Sequence, residues 1–239
     1  MAITVVELAG LPGSGKTTLA ERLVEEMRSS GVPCTVADAN ISARARKEVR
    51  MVRRAGYALR EVAGEPGASR RAAGVLVRSR QEAGRDTAAV LAQWLATERL
   101  ASRSREGSGV RLLEEGLVQT VWTATLRAGR LDPGDLWSCL PSAAHPDLVL
   151  YLDARPDLAA RRLARRTSRH SRLQQGPATS LVGELRRGQA IFDQLLLTSP
   201  VRVARLTAGG SSLDALVAQA AELLHEAHAR GAERASDLH

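Results

Sequence analysis

The part of the sequence with the most specific chemistry is the loop Gly10–Thr17, which reads Gly-Leu-Pro-Gly-Ser-Gly-Lys-Thr. Its spacing matches G-x-x-x-x-G-K-[ST], and it lies between the apolar run Ile3–Leu8 and a helical pattern, as a phosphate-cradling loop requires. Glycines let backbone N–H groups wrap phosphates because no Cβ intrudes, and the start of the following helix favours negative charge. We therefore expect a nucleoside triphosphate here, with Lys16 on its β- and γ-phosphates and the Thr17 hydroxyl on Mg²⁺. The predicted nucleotide-binding residues are Gly10, Pro12, Gly13, Ser14, Gly15, Lys16, Thr17 and Thr18.

An acidic residue follows the second predicted strand. Asp38 lies in the run Ala-Asp-Ala-Asn that ends this strand, at the edge of the sheet where ligands bind in open α/β folds. A carboxylate there could take the proton from an acceptor hydroxyl during phosphoryl transfer. The alternative is that Asp38 caps a helix that begins near Ile41.

Two further acidic residues, Glu114 and Glu115, directly follow the third predicted strand, Val110–Leu113. Glu114, or alternatively Asp38, could order the water shell of Mg²⁺ as a second metal-site residue, and Glu115 could orient or deprotonate the acceptor. The alternative is that the two charges only compensate the N-terminus of a helix that starts at Leu117.

Arginines are dense after the fourth predicted strand, in and beyond a helix that begins at Pro156. They are Arg161, Arg162, Arg165, Arg166, Arg169 and Arg172. Phosphoryl transfer spreads negative charge over oxygens, so arginines on a flap could stabilise that charge and exclude water. A helix cannot aim every side chain at one ligand, and we favour Arg162, Arg166 and Arg169 in a lid over residues 161–178.

The order of the elements predicts an α/β fold, because short apolar runs alternate with longer helical patterns. The predicted strands are Ile3–Ala9, Pro33–Ala37, Val110–Leu113, Leu148–Leu152 and Val201–Leu206. Helices are predicted for Lys16–Ser29, Pro156–Arg166 and Leu213–Arg230. We expect one domain over residues 1–230, followed by a polar, frayed tail at 231–239.

About seventy residues separate the second and third strands, more than one crossover needs. Helical periodicity covers Ile41–Arg60 and Ser69–Ala101, with a loop signal at Ala63–Gly67. We expect this insertion, about residues 41–105, to recognise the acceptor; the alternative is a helical hairpin that only covers the sheet. Gln119 and Thr123, after the third strand, could touch a base or sugar.

The composition argues against several kinds of partner. The net charge of +8 is dispersed and carried almost entirely by arginine, since Lys16 and Lys47 are the only lysines, and aromatic residues make up 3% of the chain. Few rings are therefore present to stack bases, and nucleic acid is not a favoured partner. No run approaches the roughly 18 apolar residues of a membrane helix, and no leader pattern is seen. We expect a cytoplasmic protein with no membrane partner, and a homodimer is left open.

These features resemble the P-loop kinases that act on nucleosides and nucleotides, with the thymidylate kinase branch as the closest resemblance. Besides the loop, the resemblance rests on Pro146–Asp153 and on Pro156–Arg166, which are similar to the strand, Pro-acid turn and lid helix of that branch. It implies a three-layer α/β/α fold with a parallel five-stranded sheet of order 2-3-1-4-5. It also implies that Arg162 and Arg166 are lid arginines and that the loop near Thr207–Gly210 packs beside adenine.

The sequence departs from that branch after the second and third strands. Thymidylate kinases carry Arg-Glu-Pro-Gly-Gly and Asp-Arg-aromatic motifs there, whereas this chain has Asp38-Ala-Asn and Glu114-Glu-Gly. The first acid is similar to that of hydroxyl kinases such as chloramphenicol phosphotransferase, and the second to deoxynucleoside kinases. We therefore predict an ATP- and Mg²⁺-dependent kinase that acts on a hydroxyl of a nucleoside-like or antibiotic-like compound. The alternatives are a nucleoside monophosphate kinase and a nucleotide-dependent regulatory ATPase.

Overall fold

A computed structural model describes residues 3–37, 39, 47–79, 84–128, 137–138, 144–165, 178–210 and 212–236. Its centre is a sheet of five parallel strands in the order β2-β3-β1-β4-β5. The strands are β1 (Ile3–Gly10), β2 (Cys34–Val36), β3 (Gly109–Leu113), β4 (Leu148–Ala154) and β5 (Val203–Ala208). All five predicted strands are confirmed, with ends that differ by one or two residues, and so is the strand order.

Eight helices are described around this sheet. They are α1 (Lys16–Ser29), α2 (Lys47–Gly64), α3 (Pro66–Arg78), α4 (Gly84–Arg103), α5 (Leu117–Leu126), α6 (Pro156–Ala164), α7 (Ala178–Leu197) and α8 (Leu213–Ser236). The bounds predicted for α1 are confirmed, and no helix was predicted over the residues of α7. In the part of the chain that the structure describes, no helix is both long and apolar enough to cross a membrane.

Two helical predictions need correction. The expected helix Ser69–Ala101 is two helices, because α3 ends before Ser79, whose hydroxyl donates to the Leu76 carbonyl at 2.6 Å. Serine competes in this way with helical backbone hydrogen bonds. The tail expected to fray beyond Arg230 is instead helical as far as Ser236, since α8 continues through alanine-rich sequence of high helix propensity.

The three central strands, β3, β1 and β4, are buried on both faces, which explains why their sequences are nearly continuously apolar. On one face, Val5 and Ala9 of β1 pack in a cluster to which α4, α5, α6 and α7 contribute. On the other face, Val6 and Leu8 pack with α1 and α8. The helices therefore form a layer on each side of the sheet.

Parallel pairing brings the carboxyl ends of the strands to one edge. Gly10, which ends β1, pairs with Leu152 of β4, and Glu7 pairs with Leu113, which ends β3. The phosphate loop and the acidic turn after β3 therefore begin at the same edge, where ligands bind in open α/β sheets.

Candidate nucleotide-binding site

The loop between β1 and α1 has a backbone that only glycine suits at its critical positions. Gly13 has φ +86°, and a Cβ there would lie 2.5 Å from the Ala159 carbonyl oxygen of α6. Gly15 is the residue before α1, with φ 108° and ψ 13°. Both values lie in the left-handed region, which L side chains rarely adopt. The glycines therefore let the loop turn tightly and let α6 approach it.

The N-terminus of α1 is prepared for an anion. Gly15, the residue before it, has no side chain with which to cap the helix, and the first turn contains no acidic residue. A helix N-terminus carries partial positive charge and N–H groups that lack helical partners. This arrangement fits the phosphate chain of a nucleotide, which would supply the negative charge that no carboxylate of the helix supplies.

Lys16, the first residue of α1, is folded against the loop. Its Nζ donates to the carbonyl of Gly10 at 2.6 Å and to that of Leu11 at 3.3 Å. The ammonium group therefore lies directly over the loop that would hold the phosphates. Binding of phosphate oxygens would require it to exchange carbonyl partners for charged ones, which form stronger hydrogen bonds.

Arg162 is brought to the loop by α6. Its Nη1 donates to the Ser14 carbonyl at 2.9 Å, and the same atom would lie 3.7 Å from a Cβ built on Gly15. One of the three favoured lid arginines therefore lies beside the predicted phosphate site. The other two, Arg166 and Arg169, lie outside the described residues.

The acidic turn after β3 contains one buried and one ion-paired carboxylate. Glu114 is 4% exposed at the end of β3. The Glu115 carboxylate accepts from Arg54 of α2 at 2.7 Å, in a pair whose side chains are 29% and 24% exposed. The turn is thus attached to the insertion. Asp38, the third candidate acid, lies outside the described residues.

Glu7 was not among the predicted site residues, although it connects β1 to this turn. It is fully buried, and its carboxylate accepts from the backbone N–H groups of Val118 at 3.0 Å and Gln119 at 2.8 Å. The first turn of α5 contains no acidic residue. Glu7 therefore compensates the N-terminus of this helix, which was the alternative role predicted for Glu114 and Glu115. The signal in the sequence was a single charged residue inside an otherwise uncharged strand.

A buried polar network lies between α4 and α5, beside the acidic turn. The Gln93 amide donates to the Thr97 hydroxyl at 3.3 Å, and the Thr120 hydroxyl lies 3.4 Å from the same oxygen. Among the described residues, the amide oxygens of Gln93 and Gln119 are buried without a hydrogen-bond partner. An unpaired buried acceptor is costly, so both oxygens suit a ligand that donates N–H or O–H groups. The Thr123 hydroxyl instead donates to the Gln119 carbonyl at 2.8 Å.

Two buried carboxylates lie where α2 meets α4. Glu61 is 3% exposed and Glu98 is 1% exposed, and the nearest ion pair joins Glu61 to Arg99 at 3.9 Å. Burial, with the adjacent charge of Glu61, raises the pKa of Glu98 to about 7. Burial also raises the pKa of Glu61. The contact between α2 and α4 therefore encloses two carboxyl groups whose environment favours the protonated form.

The insertion also leaves space beside the edge strand β2. A cavity of about 370 Å³ opens between β2, β3, α2 and the end of α4. Its lining residues are Thr35, Ala37, Tyr57, Leu100, Arg103, Ser104, Glu106 and Arg111. Small-molecule sites have volumes of roughly 300–1,000 Å³, so this cavity has the size for a metabolite.

At the opposite side of the site, the loop after β5 reaches α6. A Cβ built on Gly209 would lie 2.8 Å from the Leu158 side chain. This loop was predicted to pack beside adenine, and that role stays a prediction.

Two solved structures are similar to this chain. A shikimate kinase from Bacteroides thetaiotaomicron aligns with 93% of this chain and 98% of its own, at 16% sequence identity and a TM-score of 0.48. A deoxyadenosine kinase from M. mycoides, solved with dCMP and dCDP, aligns with 93% of this chain and 99% of its own, at 12% identity and a TM-score of 0.51. No protein-family model and no curated protein matches the sequence. With the strand order and the loop after β1, the similarity to the second structure shows that this chain has the three-layer α/β/α P-loop fold.

Proposed function

We propose that this protein is a kinase that uses ATP and Mg²⁺ to phosphorylate a hydroxyl group of a small, nucleoside-like or antibiotic-like molecule. The observation that carries the proposal is the glycine-built loop at Gly10–Thr17, with the N-terminus of α1 behind it and Arg162 beside it. The deoxyadenosine kinase that is similar to this chain shares its fold, which is consistent with a kinase activity. We also propose that the chain forms one domain that extends to the end of α8 at Ser236, with the insertion as its acceptor-binding part, and a cytoplasmic location, where ATP is available.

The residues present fit ATP·Mg²⁺. Lys16 and the loop N–H groups would bind the phosphates, and Thr17 with Glu114 would hold the metal and its water shell. When bound, Mg²⁺ would neutralise charge that develops on the transferred phosphoryl group. Arg162 adds positive charge at the same place, and Arg166 and Arg169 are proposed to complete the lid.

The base is assigned to Asp38. A general base must reach the acceptor hydroxyl, and Glu115 is already engaged by Arg54. Glu115 is therefore better suited to hold α2 near the turn than to accept a proton. The acceptor itself is proposed to bind beneath the insertion. There it would donate hydrogen bonds to the buried amide oxygens of Gln93 and Gln119, which have no partner among the described residues.

A second candidate is a nucleoside monophosphate kinase of the thymidylate kinase type. The cavity beside β2 favours it, because Arg103 and Arg111 line that cavity and would attract an acceptor that carries phosphate. A regulatory ATPase of another class would hydrolyse ATP and release no phosphorylated small molecule.

The test is to incubate the protein with labelled ATP and small-molecule extracts, and then with panels of nucleosides and monophosphates. Mass spectrometry should detect a metabolite that gains one phosphoryl group. Lys16→Met should reduce this transfer roughly a hundredfold, the scale expected for loss of a group that stabilises the transition state. Arg230→Met, which removes an exposed positive charge on α8, is the control and should leave the rate unchanged.

Each result discriminates between the candidates. A product only from the monophosphate panel would favour the second candidate, and phosphate release alone would favour the ATPase. Unchanged transfer by Lys16→Met would contradict the assignment of the loop.

A further inference from the structure

The helix after the acidic turn obtains its cap from a different strand. Gly116 precedes α5, so Val118 and Gln119 are the second and third residues of this helix. Their N–H groups are the ones that the side chain of a capping residue at position 116 would ordinarily satisfy. Here both donate to the carboxylate of Glu7, at 3.0 and 2.8 Å.

The structure also explains why position 116 has no side chain of its own. A Cβ built on Gly116 would overlap the carboxyl group of Glu7. Position 116 must therefore remain a glycine while Glu7 occupies the capping position. The buried acid and the glycine form a matched pair that spans β1 and the turn after β3.

The pair lies between the two parts of the proposed nucleotide site. Glu7 is three residues before Gly10, where the phosphate loop begins, and Gly116 is two residues after Glu114. Glu7 also pairs with Leu113, the residue directly before Glu114, in the β1–β3 register. Glu7 thus joins the acidic turn on both sides to the strand that carries the loop, through its strand pairing with Leu113 before the turn and through its carboxylate at the start of α5 after it.

We propose that Glu7 is a positioning residue, which holds the turn that carries Glu114 against β1, so that Glu114 would be in place to help hold the Mg²⁺ of bound ATP. This role rests on the proposed function. Glu7 acts through Glu114 and does not itself touch the nucleotide. Groups that orient metal-site residues in this way commonly contribute tenfold or more to metal affinity.

The test measures ATP binding by calorimetry, once in EDTA and once with Mg²⁺. Glu7→Gln keeps the size of the side chain but presents an amide NH₂ to one of the two backbone donors. We expect the affinity of this variant for ATP in EDTA to stay within about twofold of wild type. The factor by which Mg²⁺ increases the ATP affinity should fall roughly tenfold. Glu222→Gln, an exposed change on α8, is the matched control and should behave as wild type.

A double-mutant cycle separates positioning from a general loss of stability. Glu114→Gln alone should reduce the gain in ATP affinity that Mg²⁺ brings. Adding Glu7→Gln should then reduce that gain little further, because both changes remove the same contribution to metal binding. A rescue completes the test: Glu7→Ala should lose the Mg²⁺ effect, and Glu7→Ala with Gly116→Asn should recover most of it through an ordinary cap. Circular dichroism would confirm that each variant is folded.

The outcomes keep this inference distinct from the function on which it rests. The positioning role would be overturned if Mg²⁺ increased the ATP affinity of Glu7→Gln as much as that of wild type, or if the losses in the cycle were fully additive. In either case, ATP binding by the wild type would still support the nucleotide site. Wild-type protein that bound no ATP under either condition would overturn the proposed function, and the role of Glu7 with it.

Discussion

Arg54 of α2 donates to the Glu115 carboxylate at 2.7 Å and so joins the insertion to the turn that follows β3. The two residues are 61 positions apart in the chain. The pair connects the part of the protein proposed to bind the acceptor with the part proposed to bind the metal. A movement of α2 would therefore also shift the acidic turn.

Arg54→Ala should cost little stability and more acceptor affinity. The pair is partly exposed, and such pairs contribute about 1 kcal/mol or less to the free energy of unfolding. We expect the KM for the acceptor to rise severalfold while the Kd for ATP stays constant, because only the insertion is released. Steady-state kinetics and urea unfolding would measure the two effects. Arg53→Ala, an exposed neighbour on the same helix, is the control, and an equal rise in that variant would refute the prediction.

Arg162→Ala should slow phosphoryl transfer, whereas Arg161→Ala should not. Arg162 donates to the Ser14 carbonyl at 2.9 Å, while Arg161 pairs at 3.4 Å with Asp157 on the exposed side of α6. Removal of a positive group beside the transferred phosphate commonly costs roughly a hundredfold or more in kcat. Single-turnover kinetics with each variant would measure it. Equal rates in the two variants would show that Arg162 has no part in the reaction.

The stability of the protein should depend on the ionisation of Glu98. Its pKa is about 7 in the folded protein and near the ordinary value of 4.5 in the unfolded chain, so the folded state holds the proton to higher pH. The contribution of this group is therefore fully present below pH 4.5 and is lost as the pH rises towards 7. The loss approaches about 3 kcal/mol at most, since each pKa unit corresponds to about 1.4 kcal/mol.

Glu98→Gln tests this dependence, because it keeps the shape and removes the charge. We expect the variant to be more stable than wild type at pH 8 and nearly equal to it at pH 4.5, as measured by urea unfolding at both values. Glu106→Gln removes an exposed carboxylate from the turn after α4 and should leave the free energy of unfolding unchanged at both pH values. A variant that is less stable than wild type at pH 8 would mean that Glu98 is ionised and held by a partner.

Gln93→Leu and Gln119→Leu should weaken binding of the acceptor at little cost to the stability of the fold. Both amide oxygens are buried and lack a partner among the described residues, so replacement by an apolar group removes that cost, while Gln93→Leu also loses the 3.3 Å hydrogen bond to Thr97. We expect an increase of roughly tenfold in the acceptor KM, the effect of losing one or two hydrogen bonds to a ligand, and an unchanged Kd for ATP. Gln219→Leu, exposed on α8, is the control. An unchanged KM in both buried variants would place the acceptor elsewhere, with the cavity beside β2 as the next candidate.

Much of the fold followed from local pattern. The bounds of α1 could be predicted because glycines, Lys16 and an amphipathic run occur in immediate succession, and the five strands were recognisable as apolar runs between helical patterns. The break after Arg78 was missed because nothing stronger than a serine and a glycine marks it. The continuation of α8 was missed because Gly231 is ordinarily a helix terminator, although alanines follow it.

The sequence by itself determined the phosphate loop, since the glycines, Lys16 and Thr17 that build it are neighbours along the chain. Only the tertiary structure decided which partners the acidic residues have. Glu7 reaches the start of α5, Arg54 takes Glu115, and Glu61 meets Glu98, each across a long separation in sequence. The physical reason is that the ionisation and hydrogen bonding of a carboxylate depend on its burial and on its neighbours in space. Those properties are set when strands and helices pack, and no local run of residues encodes them.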